Sequence, residues 1–145
     1  MARYAHTSDA KGRIFIPAKL RDSLGRSVYV TKSLDRGYLA IYTEEQFEHI
    51  REQLFNLPGT DQVARRLRRA IIGEAIHCLM DSQGRISISE ELWQEIGVTA
   101  GDEVYVIDMG DGLELVSKRF FEEQKRLEQA ITEMDLSQFD VKGIF

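Results

Sequence analysis

The sequence predicts an α+β fold, mainly β, built from two copies of one unit, and three observations lead there. First, DAKGRIFIPAKLRDSLG (residues 9–25) lies over DSQGRISISEELWQEIG (residues 81–97) without a gap. Asp9, Gly12, Arg13, Ile14, Ile16, Leu20 and Gly25 match Asp81, Gly84, Arg85, Ile86, Ile88, Leu92 and Gly97. Second, the order of features downstream is kept although the register slips. Val28-Tyr29-Val30 answers Val104-Tyr105-Val106, and the turn Asp35-Arg36-Gly37 answers Gly110-Asp111-Gly112. A shared order of strand, turn and helix signals marks an internal duplication rather than a chance pentapeptide. Third, the apolar runs are short and their pairing must be non-local, which points to a small barrel-like sheet with peripheral helices.

Each element follows from local chemistry. Arg13 to Ile16 reads as a short strand, and Pro17 sits where a first helical turn accepts it, because its missing N–H is not needed there. Ala18 to Leu24 is then a short helix closed by Gly25. In the second copy Ser89 replaces Pro17 as an N-cap, with Glu90 and Glu91 in the first turn, where the helix dipole favours anions. Val28 to Thr31 and Tyr38 to Tyr42 read as a hairpin, repeated by Glu103 to Asp108 and Leu113 to Val116. Phe47, Ile50 and Leu54 give Glu44 to Phe55 helical spacing, and Asn56-Leu57-Pro58-Gly59 breaks it. Asp61 caps a basic helix running to about Ile72 and ended by Gly73. Glu74 to Met80 is a strand leading into the second motif, residues 119–134 form a charged amphipathic helix, and residues 135–145 carry few packing signals. The organisation expected is a first repeat over 1–55, a connecting basic helix over 56–73, a second repeat with its trailing helix over 74–134, and a tail over 135–145.

Each repeat is about half of 145 residues, marginal for independent stability, so the halves either share one core or borrow strands from each other. The single cysteine, Cys78, cannot form an internal disulfide and reads as a small buried hydrophobe of a reducing cytoplasm. Neither a signal peptide nor an apolar run of membrane-spanning length is present, and a soluble protein with no membrane partner is expected. The net charge of −5 conceals an asymmetry. Residues 1–72 hold 13 Lys/Arg against 8 Asp/Glu, and residues 73–145 hold 6 against 16. Such a split suits a polyanion on the basic half, or head-to-tail self-association.

The N-terminal arm, DAKGRIFIP, the spacing of about 72 residues to DSQGRISIS, and the central VARRLRRAIIG resemble the MraZ family across nearly the whole chain except the tail. One DxxxR motif is a weak signal, whereas two at this spacing are specific. The resemblance implies two tandem AbrB-like, swapped-hairpin repeats, a pseudo-dimeric β-barrel within one chain. It further implies a sequence-specific transcriptional repressor, nucleoid-associated in the cytoplasm. Such proteins bind double-stranded DNA at short direct repeats upstream of the bacterial division and cell-wall gene cluster, their own gene included, and assemble into rings, typically octameric.

On the family pattern the DNA contacts fall first on Arg13, then on Lys11, with Arg3 in the arm a weaker match. The chemistry agrees: an arginine fork grips phosphate or pairs with guanine O6 and N7, and a lysine beside it supplies a point charge for the backbone. Asp9 and Gly12, like Asp81 and Gly84, belong to the turn itself. The competing reading makes each Asp–Arg pair a local ion pair, worth about 0–1 kcal/mol when exposed. DSQGR lacks the lysine and lies in the acidic half, so Arg85 is expected to hold the barrel or a subunit contact and is a DNA candidate only in second place, with Lys19 and Arg21, whose plainer reading is solvated surface. Arg65, Arg68 and Arg69 share one helical face with Arg66 turned aside. These four are candidates for a contact with a neighbouring subunit, or else a phosphate stripe.

An enzyme is not indicated, because no convergent catalytic set appears. His6, His49 and His77 are far apart, and His77 beside Cys78 reads as part of a packed strand rather than a metal site. No metal or cofactor is expected. An antitoxin-like protein-binding module and a scaffold ring without nucleic acid remain as alternatives, separable from DNA binding by salt dependence.

Overall fold

A computed structural model of the chain describes residues 2–144. It contains eight strands and five α-helices. The first half carries β1 (Arg3–Thr7), β2 (Arg13–Phe15), α1 (Ala18–Leu24), β3 (Ser27–Lys32), β4 (Tyr38–Thr43) and α2 (Glu44–Phe55). Then α3 (Gln62–Arg68) runs into a π-helical turn, Arg69–Gly73. The second half repeats the order with β5 (Ile76–Leu79), β6 (Arg85–Ser87), α4 (Glu90–Glu95), β7 (Glu103–Asp108), β8 (Leu113–Ser117) and α5 (Lys118–Leu127).

The strands form an antiparallel six-stranded sheet, ordered β1-β7-β8-β4-β3-β5, and a two-stranded ribbon, β2-β6. Exchanging the two repeats turns that order into its own reverse. The two halves are therefore interlocked: β1 of the first pairs with β7 of the second, and β5 of the second pairs with β3 of the first. The hairpins meet where Leu39 lies opposite Leu115 and Ile41 opposite Leu113. The barrel-like sheet read from the residues, and the β-barrel that the resemblance implied, do not close into a barrel among the described residues. The large sheet keeps β1 and β5 as edges, because the three-residue strands β2 and β6 pair with each other instead.

One core serves both halves. Ile14 and Ile86 face each other across the ribbon, each fully buried, and are joined by Val28, Val30, Leu39 and Ile41 and by their counterparts Val104, Val106, Leu113 and Leu115. Burying each such side chain contributes about 1.5–3 kcal/mol. Both expectations for the halves thus hold together: strands are borrowed and the core is shared. Cys78 is buried in it, and burial pushes its thiol up to about 11.

The helix boundaries follow the caps. Pro17 is the N-cap of α1, and Gly25 ends it with φ 80°. Thr43 and Gln46 form a reciprocal capping box on α2, Asp61 accepts from the Ala64 N–H at the start of α3, and Ser89 accepts from Leu92 N–H on α4. The buried Thr31 hydroxyl donates to the Ile71 carbonyl and ties the π-turn to β3. Two boundaries differ from expectation. The strand expected over 74–80 is confined to Ile76–Leu79. The last helix ends at Leu127 rather than 134, followed only by a 3-10 turn at Ile131–Glu133. Leu127 and Ile131 are 72% and 71% exposed, so there is no core for a longer helix to cover. His77, expected in a packed segment, is exposed. It stacks on Tyr29 and its Nε2 lies 2.8 Å from Glu44, because alternation along β5 turns it away from the core that Cys78 enters.

Candidate nucleic-acid interface

Both DxxGR segments fold into the same loop. Asp9 Oδ1 accepts from the backbone N–H groups of Lys11 and Arg13 at 2.9 Å each, and Oδ2 accepts from Arg13 Nε at 2.7 Å. Asp81 does the same with Gln83, Arg85 and the Arg85 Nε, at 2.9, 2.9 and 2.8 Å. The loops are closed by Gly12 and Gly84, with φ of 74° and 82°, a region that side chains avoid. The backbone bonds to Arg13 and Arg85 are the leading reason both carboxyls are held below their ordinary value of 3.8. Each aspartate is therefore an acceptor that fixes the turn and orients the arginine four residues on.

The local ion pair is thus present in both copies, but it occupies only Nε of each guanidinium. Among the described residues no hydrogen bond is formed by the terminal nitrogens of Arg13 or Arg85. The side chains are 27% and 18% exposed.

The ribbon brings these arginines together. Arg13 lies opposite Ser87 and Phe15 opposite Arg85, so all four project from one face while Ile14 and Ile86 point into the core. Arg85 stacks over the Phe15 ring at 5.7 Å. Lys11 stands exposed at the tip of the first loop, and its ammonium makes no ion pair among the described residues. Beside it a groove of about 380 Å³ separates the loop from the start of α4, lined by Lys11, Gly12, Glu90 and Trp93.

Each loop is lashed to the other half. Ile88 N–H donates to the Gly12 carbonyl and Ile16 N–H to that of Gly84, at 3.0 and 2.9 Å. Trp93 Nε1 also donates to the Gly12 carbonyl at 2.9 Å. Arg21 lies against Gly84, where a Cβ would come within 2.1 Å of its Cζ, and its Nε donates to the Ile16 carbonyl at 2.8 Å. Arg21 is accordingly a brace of the second loop rather than solvated surface. Trp93 and Arg21 occupy equivalent places in the ungapped alignment, which is the signal that would have paired them as braces.

Other candidates lie elsewhere. Arg3 is exposed but packs over the rings of Tyr105 and Phe121 at 4.6 and 4.8 Å. It sits at the far end of β1 from the loop, about 13 Å along the strand. Lys19 is exposed on α1. The four-arginine helix divides differently from the helical-face expectation. Arg68 donates to the carbonyls of Leu54, Phe55 and Leu57, capping the end of α2, and Arg65 donates to the Gly59 carbonyl. Arg66 and Arg69 are the exposed pair, at i and i+3. The unsatisfied carbonyls of the α2 C-terminus account for the difference.

Among the described residues no group of three or more His, Cys, Asp or Glu side chains is placed to hold a metal ion. No helix of the described residues is long and apolar enough to cross a membrane.

Residues 1–70 match the family model described as "MraZ protein, putative antitoxin-like". The transcriptional regulator MraZ of Lachnoclostridium phytofermentans is 48% identical over 98 residues, 68% of each chain. That of Caldanaerobacter subterraneus subsp. tengcongensis is 36% identical over 126 residues, 87% of this chain and 86% of its own. That of Ligilactobacillus salivarius is 44% identical over 92 residues, 63% of this chain and 64% of its own. With likeness of this degree over so much of its length, the chain belongs to the MraZ family.

Proposed function

We propose that this chain is a sequence-specific DNA-binding transcriptional regulator that reads its operator with the β2-β6 ribbon and the first loop. The observation that carries the reading is the convergence of Arg13, Arg85 and Lys11 at one exposed ribbon, each arginine oriented by an aspartate through Nε alone. A two-stranded ribbon fits the major groove, where an arginine fork can read guanine. Arg13 is the principal reader, Lys11 positions the loop on phosphate, and Arg85 is secondary. The names of the relatives, transcriptional regulator MraZ, support the same function.

The exchange of β1 and β5 between halves supports the finer fold reading, a swapped-hairpin pseudo-dimer in a single chain. The operator expected is a set of short direct repeats upstream of the chain's own gene in the division and cell-wall cluster, where the protein acts as a repressor. The uneven charge of the halves favours assembly as a head-to-tail ring, typically of eight, a closed heterologous arrangement. A cytoplasmic, nucleoid-associated location follows from that role.

The test is binding to a duplex carrying those repeats at several salt concentrations, for wild type and Arg13→Ala. Phosphate contacts release counterions, so log affinity should fall with log salt at about −0.9 per contact. A steep slope for wild type with weak binding by a folded Arg13→Ala supports the reading, and equal binding by both sinks it. Exposed apolar residues in the tail, Ile131, Phe139 and Ile144 among them, favour one further reading, an antitoxin-like module that binds a protein partner. Its binding would lack the steep salt dependence of phosphate contacts.

A further inference from the structure

One face of α3 and the turn after it is built unlike the ribbon. Val63, Leu67 and Ala70 line a shallow groove of about 520 Å³ together with Arg66, Arg69, Lys32 and one acid, Glu74. Val63 is 74% exposed although it is β-branched and apolar. Lys32 is engaged by Glu95 at 3.5 Å and Glu74 at 4.0 Å, whereas neither Arg66 nor Arg69 forms an ion pair among the described residues. At the α2 end of the same helical hairpin, Phe55 and Leu57 add exposed apolar surface. A phosphate backbone has no use for an apolar floor, so a basic rim around one suits an acidic segment with apolar side chains.

The chain contains such a segment. Ile131, Met134, Phe139, Val141 and Ile144 are 43–76% exposed and interleaved with Glu133, Asp135 and Asp140. Within their own chain these apolar side chains are only partly covered. We propose that the α3 groove binds the acidic, apolar tail (131–144) of a second copy of this chain, with Arg66 and Arg69 facing its carboxylates. Charge complementarity selects the occupant: Lys32 answers Glu74 and leaves Arg66 and Arg69 unpaired among the described residues, while the tail carries Glu133, Asp135 and Asp140 against one lysine, Lys142, which lies 3.6 Å from Asp140. The proposal extends the self-association reading by naming the two surfaces, and it is independent of whether the ribbon binds DNA.

The test is hydrogen exchange of residues 131–144 in the full chain over a range of protein concentrations, for wild type and three variants. Arg66→Glu/Arg69→Glu reverses the rim, Glu133→Arg/Asp135→Arg reverses the exposed tail without touching the core, and the third variant combines them. In wild type the tail should exchange about tenfold more slowly at high concentration than at low. Either reversal alone should abolish that protection, and the combination should restore it. The proposal is overturned if the tail is unprotected throughout, or if it is protected while the chain sediments as a monomer, which would mean docking within one chain. It is equally overturned if rim reversal weakens DNA binding and leaves tail exchange unchanged, which would make the groove a phosphate site. Arg13→Ala should leave tail protection intact, which keeps failure of this proposal apart from failure of the DNA reading.

Discussion

The two DxxGR loops share a backbone and differ in what holds them from outside. The first is covered by Trp93, whose indole donates to the Gly12 carbonyl, and it presents Lys11 beside its arginine. The second is covered by the Arg21 guanidinium, carries Gln83 where the lysine would be, and leaves Arg85 stacked on Phe15 and less exposed than Arg13. Duplication has thus kept the turn, whose geometry the Asp carboxylate and a positive-φ glycine dictate, and released everything the turn does not need. What diverges is the brace, the neighbouring charge and the reach of the arginine.

The symmetric part of this comparison should give the largest effects. Ile14 and Ile86 are fully buried opposite each other, so Ile14→Ala and Ile86→Ala should each cost about 2–5 kcal/mol in urea unfolding, nearly alike. Each should unfold in one transition, because the core is common to both halves; two separate transitions would break the interlocked description. The glycines should separate the loops. A Cβ at Gly12 would stand 2.9 Å from the Ile88 carbonyl oxygen, which is backbone, whereas at Gly84 it meets the far end of the Arg21 side chain, which can shift at the cost of its bond to the Ile16 carbonyl. Gly12→Ala should therefore cost about 2–3 kcal/mol and Gly84→Ala about 1–2, both including the strain of a left-handed alanine.

On DNA the arginines should part in the same direction. Arg13→Ala should weaken operator binding about 10- to 100-fold, the 1–3 kcal/mol of a guanine-reading fork, and Arg85→Ala by about tenfold or less, measured by titration at fixed salt. A larger effect at Arg85 would reverse the assignment of the two loops. Acid should have the smallest and most even effect. Both aspartates are held below 3.8 in the folded chain. The stability they add is present above that value and lost as pH falls through the lower folded values. Asp9→Asn and Asp81→Asn should each flatten the loss of stability below about pH 4, and to similar degrees, in pH-dependent denaturation.

The sequence made the duplication, both loops, the short helices after them and both hairpins legible, because each depends on residues near in the chain. Pro17, Ser89 and Asp61 marked their helix starts for the same reason. Absent from the periodicity was which strand pairs with which: the partner of β1 lies in β7, about a hundred residues on, and nothing in RYAHT names EVYVI. The open edges that replace the expected barrel come from that same non-local choice. The candidate site was half legible. Arg13 and Lys11 were readable from the motif, but the placing of Arg85 on the same face required the register of the ribbon. Arg68 looked like part of a surface stripe because the carbonyls it caps belong to another helix.

The interlock also sets an order in time. Translation at about 5–20 residues per second delivers β1 first, and its one sheet neighbour among the described residues, β7, emerges about 5–20 s later. Until then the first half exists as a hairpin and two helices with an idle arm and an uncovered apolar face. Ribosomes on one message would hold several such arms near one another, each able to accept the late strand of another chain. A gene that fuses the two repeats answers this by keeping the correct partner tethered and always the next to arrive.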